Sequence, residues 1–146
     1  MKSLCLSLGL LAAFALSAVA ADPKLDGVKC LLNPKAGAKA AHAVDYKGGK
    51  VFFCCPNCPK SFSADSAKFA TKANLQLVAT GQAKQTACPI SGQPVDDAHK
   101  LTVGGVEVGF CCPNCKGKAE KASPEEAAEL VFGDKPFEKA FKVGAK

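Results

Sequence analysis

Cysteine is the residue type in this chain whose spacing points most directly to chemistry. The stretch Phe53-Cys54-Cys55-Pro56-Asn57-Cys58 returns as Phe110-Cys111-Cys112-Pro113-Asn114-Cys115, and each copy has one further cysteine upstream, Cys30 or Cys88. The intervals are C-x23-C-x3-C and C-x22-C-x3-C. Thiols in such a pattern support three chemistries: a redox pair, a disulfide scaffold, or a thiolate metal site.

These readings make different demands. Cys55-Pro56-Asn57-Cys58 has the C-x-x-C form of thiol oxidoreductases, but a thioredoxin-like fold needs a βαβ context and more chain than each copy offers. A redox pair also has no use for a cysteine directly before it and another at a fixed distance upstream. In the disulfide reading, Cys54 and Cys55 on an extended segment point to opposite faces. They would need partners on two sides, and only Cys30 and Cys58 are at hand. A disulfide-stapled extracytoplasmic interaction module stays open as the alternative, with a thiol redox protein behind it. A metal site accounts for most of the pattern. It needs thiolates from a loop before a hairpin and from the hairpin's exit into a helix. There the free N–H groups and the positive end of the helix dipole favour thiolate. Cys54 and Cys58 stand at i and i+4, on one side of a first helical turn. Soft thiolate sets suit zinc or copper ions or other thiophilic metals.

The elements that must position these sulfurs follow from the repeat. Residues 28–80 and 86–142 read as two copies of one unit, related by a single one-residue gap, with Gly81 to Thr86 as the linker. Units of about 55 residues are marginal alone and usually need a metal or disulfide to hold them. In the first copy Ala43–Lys47 and Lys50–Phe53 flank Gly48-Gly49, a hairpin signal. In the second, Lys100–Val103 and Val106–Phe110 flank Gly104-Gly105. Helical spacing follows each cluster: Phe62 and Phe69 with a Lys68/Lys72 face in the first unit. In the second, Ser123-Pro124-Glu125-Glu126 predicts a capped helix start. That helix should run to about Phe132, stop at Gly133, and be followed by a short helix from Asp134 with Phe137 and Phe141 on one face. The expected fold class is α+β: two small treble-clef-like units, each a β-hairpin followed by helix. Phe52, Phe53 and Phe110 are expected in the core, Tyr46 in packing, and Asn57 and Asn114 as capping or turn residues.

With its aromatic strand ending in Phe-Cys and its last cysteine at x3, each unit resembles the YHS/TRASH-like family of small cysteine-rich metal-binding domains. Cys88-Pro89-Ile90-Ser91-Gly92-Gln93-Pro94-Val95 resembles the family's opening, Gly49-Lys50-Val51-Phe52-Phe53-Cys54 its central strand, and Ala64-Asp65-Ser66-Ala67-Lys68-Phe69 its closing helix. The resemblance implies a treble-clef-like fold, heavy-metal binding, and a role in metal handling or resistance beside a metal transporter or other extracytoplasmic protein. Carried over residue by residue, it implies the ligands Cys30, Cys54 and Cys58, then Cys88, Cys111 and Cys115. There are departures. The first unit opens Cys30-Leu31-Leu32-Asn33-Pro34, without the Ser-Gly turn, and Ala119 stands in the second unit where Phe62 stands in the first. Cys55 and Cys112 occupy places where a Ser or other small residue is expected. They are candidate fourth ligands, as are His42 and His99, which are expected just before the first strand of each hairpin.

Residues 1–20 read as a secretory signal peptide: Lys2, an apolar run Leu4 to Leu16, and the cleavage signal Ala18-Val19-Ala20. The run is too short to span a bilayer as a helix. Export to a periplasmic or secreted location is therefore expected, with no stable membrane span after cleavage. Cys5, the ninth cysteine, falls in the removed segment. The formal net charge is +6 and every basic residue is lysine. The lysines are scattered, and without Arg or Trp to contact bases they read as a solvated surface, not a nucleic-acid site. No metalloprotease helix, nucleophile elbow or phosphate-binding glycine loop is written in the chain, so no enzymatic turnover is expected.

Overall fold

A computed structural model describes residues 23–144. The signal-peptide reading of residues 1–20 lies outside them. The fold is mixed α+β, and its two hairpins match residue for residue. Strands β1 (Lys39–Tyr46) and β2 (Gly49–Phe53) pair antiparallel, as do β4 (Asp96–Val103) and β5 (Val106–Phe110). A shorter antiparallel pair joins β3 (Ala83–Gln85) to β6 (Phe141–Val143). The helices are α1 (Asn57–Ala64), α2 (Ala70–Ala79), α3 (Pro113–Lys121), α4 (Pro124–Phe132) and α5 (Asp134–Ala140). Among the described residues no helix is long and apolar enough to cross a membrane.

Each hairpin closes on two residues with positive φ, the backbone that matches strand twist. In the second unit these are Gly104 (φ 59) and Gly105 (φ 85), as expected. In the first they are Lys47 (φ 48) and Gly48 (φ 83), one residue earlier than the Gly48-Gly49 reading. Gly49 belongs to β2, opposite Tyr46. It is small for another reason: a Cβ there would stand 2.7 Å from Leu77 Cδ2. Both first strands also begin earlier than expected, at Lys39 and Asp96, because a bulge interrupts the ladder at Lys39/Ala43 and again at Asp96/Lys100. A bulge breaks the period-two pattern by which strands are read from sequence.

Helix follows each cysteine cluster. In the first unit it comes in two pieces. After α1 the chain turns at Asp65, whose Oδ1 accepts the Lys68 N–H at 3.2 Å. A 3-10 turn over Ala67–Phe69 then leads into α2. The segment Ala64–Phe69 is therefore a helix-to-helix turn, not a closing helix. In the second unit α4 starts as expected, with a reciprocal capping box: Ser123 N–H donates to Glu126 Oε2 at 3.0 Å and Glu126 N–H to Ser123 Oγ at 3.3 Å. Replacing Ser123 with Ala should cost about 1 kcal/mol, read as a lower thermal unfolding midpoint; an unchanged midpoint would mean the cap carries nothing. Phe141 opens β6 instead of ending α5, yet its ring stacks on Phe137 at 5.3 Å.

A single apolar core runs through both units, with Val51, Phe53, Phe62, Ala73 and Leu77 from the first and Val108, Phe110, Val131, Phe132 and Phe141 from the second. Phe62 sits between Phe53 and Tyr46, both at 5.5 Å centroid distance. Helix α2 packs on α4. Asn74 Nδ2, fully buried on α2, donates to the Phe132 carbonyl at 2.8 Å, at the last residue of α4. Lys47, at the tip of the first hairpin, bonds Asp134 at 2.7 Å and Glu138 at 3.2 Å on α5. The stretch 81–86, expected as a linker, holds β3. Gly81 (φ 74) ends α2 in the left-handed region, and the chain then runs back along β6.

Candidate metal centres

Each centre is assembled from a knuckle, a hairpin and a helix start. The knuckle is a tight loop closed by the cysteine's own N–H. Cys88 N–H donates to the Gln93 carbonyl at 2.8 Å, and Cys30 N–H to the Ala36 carbonyl at 2.9 Å. The first loop is one residue longer, so the gap between the two copies falls inside the knuckle. The hairpin then brings its second strand, β2 or β5, back beside the knuckle. The chain leaves that strand through Cys54 or Cys111 and enters α1 or α3, which carries Cys58 or Cys115 near its start.

The result is a triad of sulfurs in each unit. The Sγ atoms of Cys30, Cys54 and Cys58 all lie within 4.8 Å of one another, as do those of Cys88, Cys111 and Cys115. Cys54 and Cys58 are 3.9 Å apart, and Cys111 and Cys115 3.7 Å. Three sulfurs at such separations can hold one thiophilic ion at ordinary metal–sulfur distances. None of the eight described cysteines is disulfide-bonded. The knuckle sulfurs belong to buried residues, Cys30 at 2% exposure and Cys88 at 0%. Cys115 is buried too, whereas its counterpart Cys58 is half-buried, so the first centre is the more open. Ser91, expected from sequence as part of a Ser-Gly turn and not as a site residue, adds its hydroxyl to the second centre, 3.1 Å from Cys111 Sγ.

The environment divides the thiols by acidity. Burial pushes Cys88 up, but the Ser91 hydroxyl and N–H and the backbone N–H groups of Cys111 and Ile90 outweigh it, leaving a pKa of about 6. Burial also raises Cys30, and the N–H groups of Cys54, Asn33 and Leu32 bring it net below the usual thiol range. Cys58 and Cys115 are pushed to about 12, first by burial and then by neighbouring sulfurs that compete for the same charge. Cys54 is raised by Cys30 and by burial. Cys55 falls to about 7, chiefly through the N–H of Cys58 at the start of α1, and Cys112 falls through the N–H of Cys115. Each triad thus pairs an acidic knuckle thiol with a basic helix thiol. A cation is what allows all three to be thiolate together.

A glutamine holds each centre from behind. Gln76 on α2 accepts the Phe52 N–H at 2.6 Å and donates to the Phe52 carbonyl at 3.0 Å and the Lys29 carbonyl at 3.1 Å. Lys29 precedes the knuckle cysteine, and Phe52 lies two residues before Cys54. Gln85 on β3 does the same in the second unit: it accepts the Gly109 N–H at 2.9 Å and donates to the carbonyls of Gly109 at 2.7 Å and Ala87 at 2.9 Å. Ala87 precedes Cys88, and Gly109 lies two residues before Cys111. The two clamps are not repeat equivalents. One comes from a helix after its centre and the other from a strand before it. A polar residue beside Ala73 and Leu77 on the buried face of α2 is the one signal the sequence offers for Gln76.

The other expected site residues are placed differently. His42 and His99 lie inside β1 and β4, within the two bulges, not ahead of the strands, and neither joins a sulfur triad. Cys55 Sγ lies 3.5 Å from Cys58 Sγ, and Cys112 Sγ 3.6 Å from Cys111 Sγ, yet both fall outside the sets whose members are all in mutual reach. Asn57 and Asn114 lie in the first turns of α1 and α3, and neither helix has a side-chain cap bond. No family model, curated protein or solved structure matches the chain.

Proposed function

We propose that this is an exported, non-enzymatic metal-binding protein that holds one thiophilic ion in each of two units, 28–80 and 86–142. The carrying observation is the pair of sulfur triads, at the same place in two hairpins that match residue for residue. The YHS/TRASH-like resemblance of the repeated motif supports the same reading, with metal handling or resistance as the role and a metal transporter or another extracytoplasmic protein as partner. Zinc and copper ions fit the donor set, and the expected ligands are Cys30, Cys54 and Cys58, then Cys88, Cys111 and Cys115.

Titrating the reduced full chain with Co²⁺ tests this. Thiolate-to-metal charge transfer should grow in the ultraviolet and break at two equivalents; a flat spectrum would count against thiolate ligation. The pH dependence has a definite sign. Ligands must be deprotonated, so binding releases protons and weakens as pH falls. The protons on Cys58 and Cys115, held up to about 12, are displaced throughout the neutral range. Below about 6 the Cys88 proton must be displaced as well, so the second centre's affinity should fall more steeply there. Competition titrations at several pH values read this slope directly, and a pH-independent affinity would contradict it.

A further inference from the structure

We infer that Cys55 and Cys112 are exchange ligands, through which a bound soft monovalent cation is passed between the buried triad and a thiol-bearing or chelating acceptor. The inference rests on the metal-binding reading and adds a direction of transfer to it.

The geometry points this way in both units. Cys55 Sγ touches one member of its triad, Cys58, at 3.5 Å, without lying within reach of all three. Cys112 Sγ likewise touches Cys111 at 3.6 Å. An ion on the triad and an ion leaning toward the outer sulfur would therefore share at least one ligand. Such an ion can move by replacing one bond at a time. The two ends of the path differ in exposure. Cys30 and Cys88 are buried, whereas Cys55 and Cys112 are half-buried and are followed by the exposed pairs Pro56-Asn57 and Pro113-Asn114. An acceptor cannot approach the ion from the knuckle side without displacing core, but it can reach the outer sulfur.

The step balances without redox chemistry. With Cu⁺ on Cys30, Cys54 and Cys58, the Cys55 sulfur forms a Cu–S bond and its proton, where present, goes to solvent. The Cu–S bond to Cys30 breaks, and its electron pair stays on that sulfur, which leaves as thiolate. Cys58 stays bound throughout, and copper remains monovalent. The acceptor's donor then bonds the ion on the Cys55 side, and the remaining protein sulfurs leave in turn. The second centre follows the same path with Cys112 incoming, Cys111 shared and Cys88 departing.

Serine is the discriminating replacement. It is a good residue at a helix start but is not a soft donor. The full chain, and its Cys55→Ser/Cys112→Ser and Cys55→Ala/Cys112→Ala forms, would be loaded with Cu⁺ under reducing, anaerobic conditions. Copper content and equilibrium affinity would be measured first. Release to a chromogenic Cu⁺ chelator would then be followed by stopped flow. The expected result is two Cu⁺ per chain in all three proteins with unchanged affinity, and release slowed about tenfold in both variants, equivalent to about 1.4 kcal/mol in the barrier. Unchanged release at unchanged loading overturns the exchange role and leaves metal binding standing. Loss of copper from the variants also overturns it, because Cys55 and Cys112 would then be holding ligands. Failure of the unsubstituted chain to take up Cu⁺ removes both this inference and the copper form of the reading beneath it, an outcome visible before any variant is compared.

Discussion

Replacing Cys58 with Ser should empty the first centre and leave the second loaded, and replacing Cys115 should do the reverse. Each of these sulfurs sits within 4 Å of another triad member, Cys58 at 3.9 Å from Cys54 and Cys115 at 3.7 Å from Cys111. Each is also the thiol whose proton is held hardest, at about 12, and so the one that metal binding must convert to thiolate. Serine keeps the volume and removes the soft donor. Losing an outer-shell partner of a metal typically costs 10- to 100-fold in affinity, so losing a direct ligand should exceed about 100-fold at that centre. The half-loaded products make the result specific. Metal content should fall from two to one in each single variant and to none in the double variant. Unchanged metal content in the single variants would remove these cysteines from the ligand set.

The second large effect concerns the clamps. Gln76→Leu should strand the Phe52 N–H together with the carbonyls of Phe52 and Lys29, all of which Gln76 now satisfies at 2.6 to 3.1 Å. A buried group left without its partner costs about 1–3 kcal/mol, so the chain should lose at least about 3 kcal/mol of stability. Destabilisation alone would say only that Gln76 is buried. The distinguishing readout is which centre changes. With Co²⁺ bound, Gln76→Leu should shift the charge-transfer bands of the first centre and weaken its affinity, because the knuckle at Lys29 and the strand ahead of Cys54 are no longer held in register. Gln85→Leu should do the same to the second centre alone. If both centres weakened equally in either variant, the glutamines would be supports of the common core and not positioning residues for one triad each.

How much of this was legible in the sequence differs from residue to residue. The repeated Phe-Cys-Cys-Pro-Asn-Cys and the fixed upstream cysteine carry the order of knuckle, hairpin and helix, because spacing in a short unit leaves few ways to bring those sulfurs together. The capping box at Ser123 is equally local and was equally readable. The strand starts were not, since a bulge inserts residues that period-two reading assigns to loop. The same bulges place His42 and His99 in the middle of a strand and not at the approach to it. The hairpin turn in the first unit lies one residue before the Gly-Gly signal, because Gly49 is small to let Leu77 approach and not to turn the chain. Gln76 and Gln85 escaped because a clamp is defined by the two backbone segments it joins, and in each case those segments meet only after the chain has folded. The pairing of β3 with β6, and the seating of α2 on α4, are of the same kind. The seating of α2 on α4 joins the two copies through contacts that neither contains alone, and the β3–β6 pair ties the stretch between them to the end of the second.

The most direct test of the central claim is elemental mass spectrometry of the protein purified without chelator, with reactive thiols counted on the same sample. The account predicts about two ions of a thiophilic metal per chain, with thiols that react fully only after denaturation in the presence of a chelator. No metal and no reactive thiols until a reductant is added would contradict it, and would make the repeated cysteines a disulfide framework.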